Sequence, residues 1–308
     1  MITQVKMANV LVSRSPLLSH SMRIFRHTVF PSTGSLFFSS QDDSVLQMQY
    51  LEGDDKGIAV IGLNRPEAMN SFSKNLVQKL EDAIGAVEFD KNVRTVIIRS
   101  LAPGIFCAGA DLKERAKMPV NEVGPFVARL RGMIGKLNTL PFPVIAALDG
   151  TAVGGGLELA LSCDFRIAAN TAKMGVVETR LAIIPGAGGT QKLPRLVGPA
   201  KAKELIFTAK VVDGLEAERI GLVNYSVPQN DNQDAAFQRS LNLAREILPN
   251  GPVAVKMAKL AIDKGIEVDL ASGLAFEGAY YAQTIPTKDR IEGLTAFKER
   301  RKPVYTGE

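Results

Sequence analysis

The sequence predicts an α/β core followed by a largely helical C-terminal part, on three observations. Apolar β-branched runs alternate with segments whose apolar residues recur every three or four positions. The loops between a strand and the next helix are rich in small residues, and strand-like runs fade after Gly198. In such alternation the functional loops follow strands and precede helix starts.

Ile58–Leu63 reads as a strand, ended by the turn formers Asn64, Arg65 and Pro66. Behind an N-cap at Ser73, Leu76, Leu80, Ala83, Ile84 and Val87 mark one face of a helix. Val93 to Arg99 is a buried strand, leading into the small-residue run Pro103 to Asp111. A second helical pattern passes through Phe126, Leu130, Ile134 and Leu137 and stops at Pro141 and Pro143. Pro143 to Leu148 is a further buried strand. It runs through Asp149 and Gly150 to three consecutive glycines, after which Leu157, Ala160, Leu161 and Asp164 open a helix. Beyond Gly198, helical segments are predicted at 200–208, 234–247, 253–264 and 287–300.

From Met1 to Gln41 there is no Asp or Glu, while Lys6, Arg14, Arg23 and Arg26 stand among serines. This is the composition of a mitochondrial transit peptide, expected over residues 1–40, and it places the mature protein in the matrix. Without it, basic and acidic residues nearly balance, so the formal charge of +5 implies no basic surface for nucleic acid. No run of about 18 apolar residues is present to span a membrane. Cys107 and Cys163 lack the spacing of a metal or redox motif, and no metal site is expected.

Both histidines, His20 and His27, fall in the leader. Proton transfer near neutral pH is then left to carboxylates, lysines, tyrosines and two isolated cysteines. Glu158 directly follows Gly154-Gly155-Gly156-Leu157, and Glu178 lies twenty positions on. Taken alone, three glycines after a strand fit a tight packing turn better than an anion site. A carboxylate one residue beyond them, able to point where backbone amides converge, favours a site. The loop Ala108-Gly109-Ala110-Asp111 also follows a strand, and its amides could supply the other half of an oxyanion hole. Gly186 to Thr190 has neither dinucleotide nor P-loop spacing and reads as a structural turn near the site.

Ile145 to Gly150, Gly154 to Gly156, Cys163-Asp164, Phe106 to Asp111 and Ile184 to Thr190 together resemble the signature of the enoyl-CoA hydratase/isomerase (crotonase) family. The resemblance extends from about Met48 to the C-terminus. It implies a spiral of ββα units over 45–240 and a helical C-terminal trimerisation region over 241–308, assembled as a homotrimer or homohexamer. It also implies an acyl-CoA substrate, with 3-methylglutaconyl-CoA or a short-chain 2-enoyl-CoA expected, and no cofactor, since coenzyme A is part of the substrate. In the family the amides matching Ala110 and Gly155 hold the thioester oxygen. The carboxylates matching Glu158 and Glu178 handle water and the α-carbon proton, and having both favours a hydratase over an isomerase. CoA contacts are implied at Ala108, Asp111, Lys113 and Arg300, although a solvated surface charge is the plain alternative for the two cations.

Two other functions compete. Lysines spaced four apart on one helix face would suit RNA phosphates, as in an AU-rich RNA-binding relative, but here that face reads Lys74, Gln78, Asp82. A catalytically inert scaffold is the other, against which the two glutamates stand.

Overall fold

In the computed structural model, which describes residues 45–308, β1 (Leu46–Tyr50) pairs antiparallel with β2 (Ile58–Leu63), a strand buried along its whole length. α1 (Lys74–Glu88) follows. Ser73 caps it by accepting the Leu76 N–H, and Leu76, Val77, Leu80, Ala83, Ile84 and Val87 form its buried stripe.

From there a pattern of two strands and a helix recurs. β3 (Thr95–Ser100) and β4 (Ile105–Cys107) lead to α2 (Leu112–Ala116) and α3 (Val120–Thr139). β5 (Val144–Leu148) and β6 (Thr151–Val153) lead to α4 (Gly155–Ala160). β7 (Phe165–Ala169) and β8 (Lys173–Gly175) lead to a 3₁₀ turn (Glu178–Leu181) and α5 (Gly189–Val197). After α6 (Pro199–Phe207) come β9 (Val212–Asp213), α7 (Gly214–Arg219) and β10 (Tyr225–Val227).

The first strand of each pair enters a sheet ordered β1-β2-β3-β5-β7-β10, and the second enters a smaller sheet ordered β4-β6-β8-β9. Neighbours are parallel except where β1 and β9 join. Each two-strand unit therefore advances both sheets by one place, which makes the chain a spiral of ββα units. The large sheet is covered on both faces, so its strands read as continuous apolar runs. Ile58, Val60, Ile97, Ile145 and Ile167 point toward α8 (Ala235–Ile247), while Ala59, Ile61, Val96, Ile98 and Ala146 belong to the main core.

The rest of the C-terminal region is helical: α9 (Pro252–Gly265), α10 (Leu270–Thr284) and α11 (Lys288–Glu299). α10 escaped the sequence because none of its residues is buried, so it carries no apolar stripe against its own core. β6, β8, β9 and β10 escaped because two or three residues show no period, and β1 because its exposed residues are mixed. α4 is shorter than expected and ends at Ala160. Asp164 lies beyond it, accepting the Val144 N–H and pairing with Lys259 at 2.7 Å. The leader over 1–40, with His20 and His27, lies outside the described residues.

Candidate active site

The start of α4 is pressed against the loop that leaves β4, and glycine is what permits the approach. A Cβ on Gly156 would stand 2.1 Å from the Cys107 carbonyl oxygen, and one on Gly109 would stand 2.9 Å from the Gly155 nitrogen. Gly109 (φ +83°) and Gly154 (φ +55°) also adopt backbone conformations that L side chains avoid. The two small-residue loops therefore meet. Phe72 bridges to the first of them: its N–H donates to the Gly109 carbonyl (2.7 Å), and its carbonyl accepts the Asp111 N–H (3.2 Å). In a parallel bridge of that register the intervening residue, Ala110, turns its own N–H away from Phe72.

Glu158 sits in the first turn of α4 and is only 2% exposed. Its Oε1 accepts the N–H groups of Ala187 and Gly189, both at 2.8 Å. Burial pushes this carboxyl above its ordinary value. The Gly189 and Ala187 amides oppose that, as do the charges of Lys192 and Arg131. Glu178 opens the 3₁₀ turn after β8, and its Oε1 lies 3.4 Å from where a Cβ on Gly154 would be. Its Oε2 is buried with no hydrogen-bond partner. Burial, and next the negative charge of Glu158, push the Glu178 carboxyl up to about 7.

Beneath this pair lies Lys192, which the sequence did not single out. Its stem packs along Gly188, and its Nζ donates to Asn138 Oδ1 and to Ser162 Oγ (2.5 Å); Ser162 Oγ in turn donates to the Glu158 carbonyl (2.9 Å). Burial pushes the Lys192 ammonium down to about 8. Arg166, also buried, gathers the Cys163 and Leu222 carbonyls beyond α4. Both cysteines are buried, and desolvation pushes each thiol up to about 12, which leaves neither as a nucleophile at neutral pH.

A family model described as enoyl-CoA hydratase/isomerase matches residues 53–308. The chain belongs to the enoyl-CoA hydratase/isomerase family. It is 61% identical over 263 residues to human mitochondrial methylglutaconyl-CoA hydratase, covering 85% of this chain and 78% of that protein. It is 53% identical over 264 residues to human enoyl-CoA hydratase domain-containing protein 2, also mitochondrial, covering 86% of this chain and 90% of that protein. Among solved structures, the enoyl-CoA hydratase from Bacillus anthracis superposes with a TM-score of 0.82 at 46% identity, covering 86% of this chain and all of that one.

The other residues singled out as CoA contacts of this family spread more widely. The Ala108 N–H is spent on the Met69 carbonyl (3.0 Å). Asp111 caps α2 through the Lys113 and Glu114 N–H groups, and its Oδ2 pairs with Arg65 at 2.8 Å, which anchors the loop carrying Ala110. Lys113 is exposed beside that loop. Arg300 is exposed at the end of α11 in the left-handed conformation and makes no side-chain hydrogen bond to a described residue. On the face considered for RNA, Lys74 pairs with Glu122 at 2.9 Å and Gln78 donates to Asp82. Among the described residues no His/Cys/Asp/Glu cluster fits a metal, and no helix is long and apolar enough to cross a membrane.

Proposed function

We propose that this chain adds water across the 2,3 double bond of a 2-enoyl-CoA thioester. Glu158 Oε1 is held by two amides while Oε2 of Glu178, beside it, is left without a donor, and this single contrast carries the assignment. Amide donation favours the ionised form of Glu158, and burial next to that charge favours the protonated form of Glu178. Hydration needs one of each.

In the proposed cycle the thioester oxygen lies between the Ala110 and Gly155 amides, and one water is held by both carboxyls. The water oxygen bonds to the β-carbon and its proton passes to Glu158. The electron pair of the double bond moves toward the thioester, and the α-carbon takes the proton from Glu178. Neutral amides stabilise the enolate charge without donating a proton that would trap it. A proton returning from Glu158 to Glu178 resets the pair. The addition is redox-neutral and needs no partner beyond water and the thioester. An isomerase can move a double bond with one carboxylate, so the presence of two favours hydration.

The likeness to methylglutaconyl-CoA hydratase makes 3-methylglutaconyl-CoA the proposed substrate. The mitochondrial names of the relatives, with the acid-free leader, support import into the matrix and removal of about residues 1–40. We take 45–240 as the catalytic core and 241–308 as the assembly region. Ile262, Ile266, Leu270, Leu274 and Phe297 are exposed on its helices, and a homotrimer or homohexamer would cover them. The test is hydration of 3-methylglutaconyl-CoA and crotonyl-CoA, followed by loss of the enoyl thioester absorbance, in wild type and in Glu158→Gln and Glu178→Gln. Near wild-type rates in both variants would remove the proposal.

A further inference from the structure

A glutaconyl-type substrate carries a terminal carboxylate that its crotonyl counterpart lacks. The carboxyl carbon lies two single bonds beyond the β-carbon, about 2.5 Å away. A group that recognises it must stand beside the carboxyl that activates water.

One face of α3 runs past the turn that holds Glu158. Val127 meets that turn at Gly186, where an added Cβ would come within 2.8 Å of Val127 Cγ1, and Asn138 accepts from Lys192 Nζ. Arg131 lies four residues after Val127 and seven before Asn138, which puts it on the same helical stripe between the two contacts. Its charge reaches Glu158 and favours the ionised carboxylate there. It is exposed, and no carboxylate among the described residues pairs with it. Lys192, the other cation that acts on Glu158, cannot serve in this way, because its Nζ is already bound to Asn138 and Ser162 behind the turn.

Resting on the hydratase assignment above, we propose that Arg131 receives the terminal carboxylate of the acyl chain and sets the preference for a dicarboxylic 2-enoyl-CoA over a monocarboxylic one. A guanidinium suits this role because it offers a planar pair of donors to a carboxylate and stays charged.

The experiment compares kcat/KM for 3-methylglutaconyl-CoA and crotonyl-CoA in wild type, Arg131→Leu and Arg131→Lys. The ratio of the two should fall by about 10² in Arg131→Leu and by less in Arg131→Lys, since a site built to pair a charged group discriminates strongly by its presence. An unchanged ratio, or an equal fall on both thioesters, overturns the proposal; the latter would place Arg131 in service of Glu158 alone. Calorimetric binding of glutaryl-CoA and butyryl-CoA to wild type and Arg131→Leu separates this from the hydratase assignment. Preference for glutaryl-CoA that is lost in the variant supports Arg131 even if wild type hydrates neither enoyl thioester, and equal binding of the two by wild type overturns it.

Discussion

Oε1 of Glu158 receives the Ala187 and Gly189 amides at 2.8 Å each, whereas Oε2 of its neighbour Glu178 is buried without a donor. Two like residues so placed share a single proton unequally, and the proton belongs on Glu178. The site can thus hold an acid and a base of the same residue type at one pH.

The active form should therefore be the singly protonated pair, and activity should fall as pH rises through about 7, where that proton is lost. Measurements of kcat/KM for hydration between pH 5 and 9 check this. A profile that stays flat across pH 7 would disprove the shared proton.

Replacing either acid with glutamine should lower kcat by about 10²–10⁴, the range for losing a positioned proton-transfer group. Because both carboxyls are proposed to act on one water, the double variant should be only slightly worse than the poorer single one. Multiplicative losses in steady-state kinetics would mean that the two act independently.

Gly109→Ala should lower kcat by about 10²–10³ by displacing the Gly155 amide, which its Cβ would approach to 2.9 Å. Gly104→Ala is the matched control. Gly104 also has positive φ, at +72°, but nothing lies within 4 Å of an added Cβ, so it brings backbone strain without the collision. Equal losses of kcat in the two variants would trace the effect to strain alone.

Both glutamates and both glycine-rich loops were legible because their chemistry is local: an acid in a histidine-poor chain, and glycines between a strand and a helix. Convergence was not legible, since it depends on Gly109 meeting Gly155, a residue far along the chain. The turn at Gly186–Thr190 was placed near the site, but the Ala187 and Gly189 amides that grip Glu158 leave no mark in side-chain identity. Lys192 went unread for a related reason: a lone cation in a helix is usually a surface charge, and only its burial against Asn138 and Ser162 separates it from the others. The helical C-terminal region was visible through the stripes of α8 and α9, while α10 directs its apolar residues outward and shows no stripe of its own.

The same burial that raises the Glu178 carboxyl should cost stability when the residue ionises. Its carboxyl is raised from the ordinary 4.5 to about 7 on folding, so between those values the folded chain binds more protons than the unfolded one. Stability must then fall as pH rises through that window and stay reduced above it. Glutamine keeps the shape and cannot ionise, so Glu178→Gln should raise Tm at pH 8 and raise it progressively less toward pH 5, even as it removes activity. Thermal unfolding of both proteins at the two pH values decides the matter. A Tm difference of the same size at pH 5 and pH 8 would show that packing, and not charge at Glu178, separates the variant from the wild type.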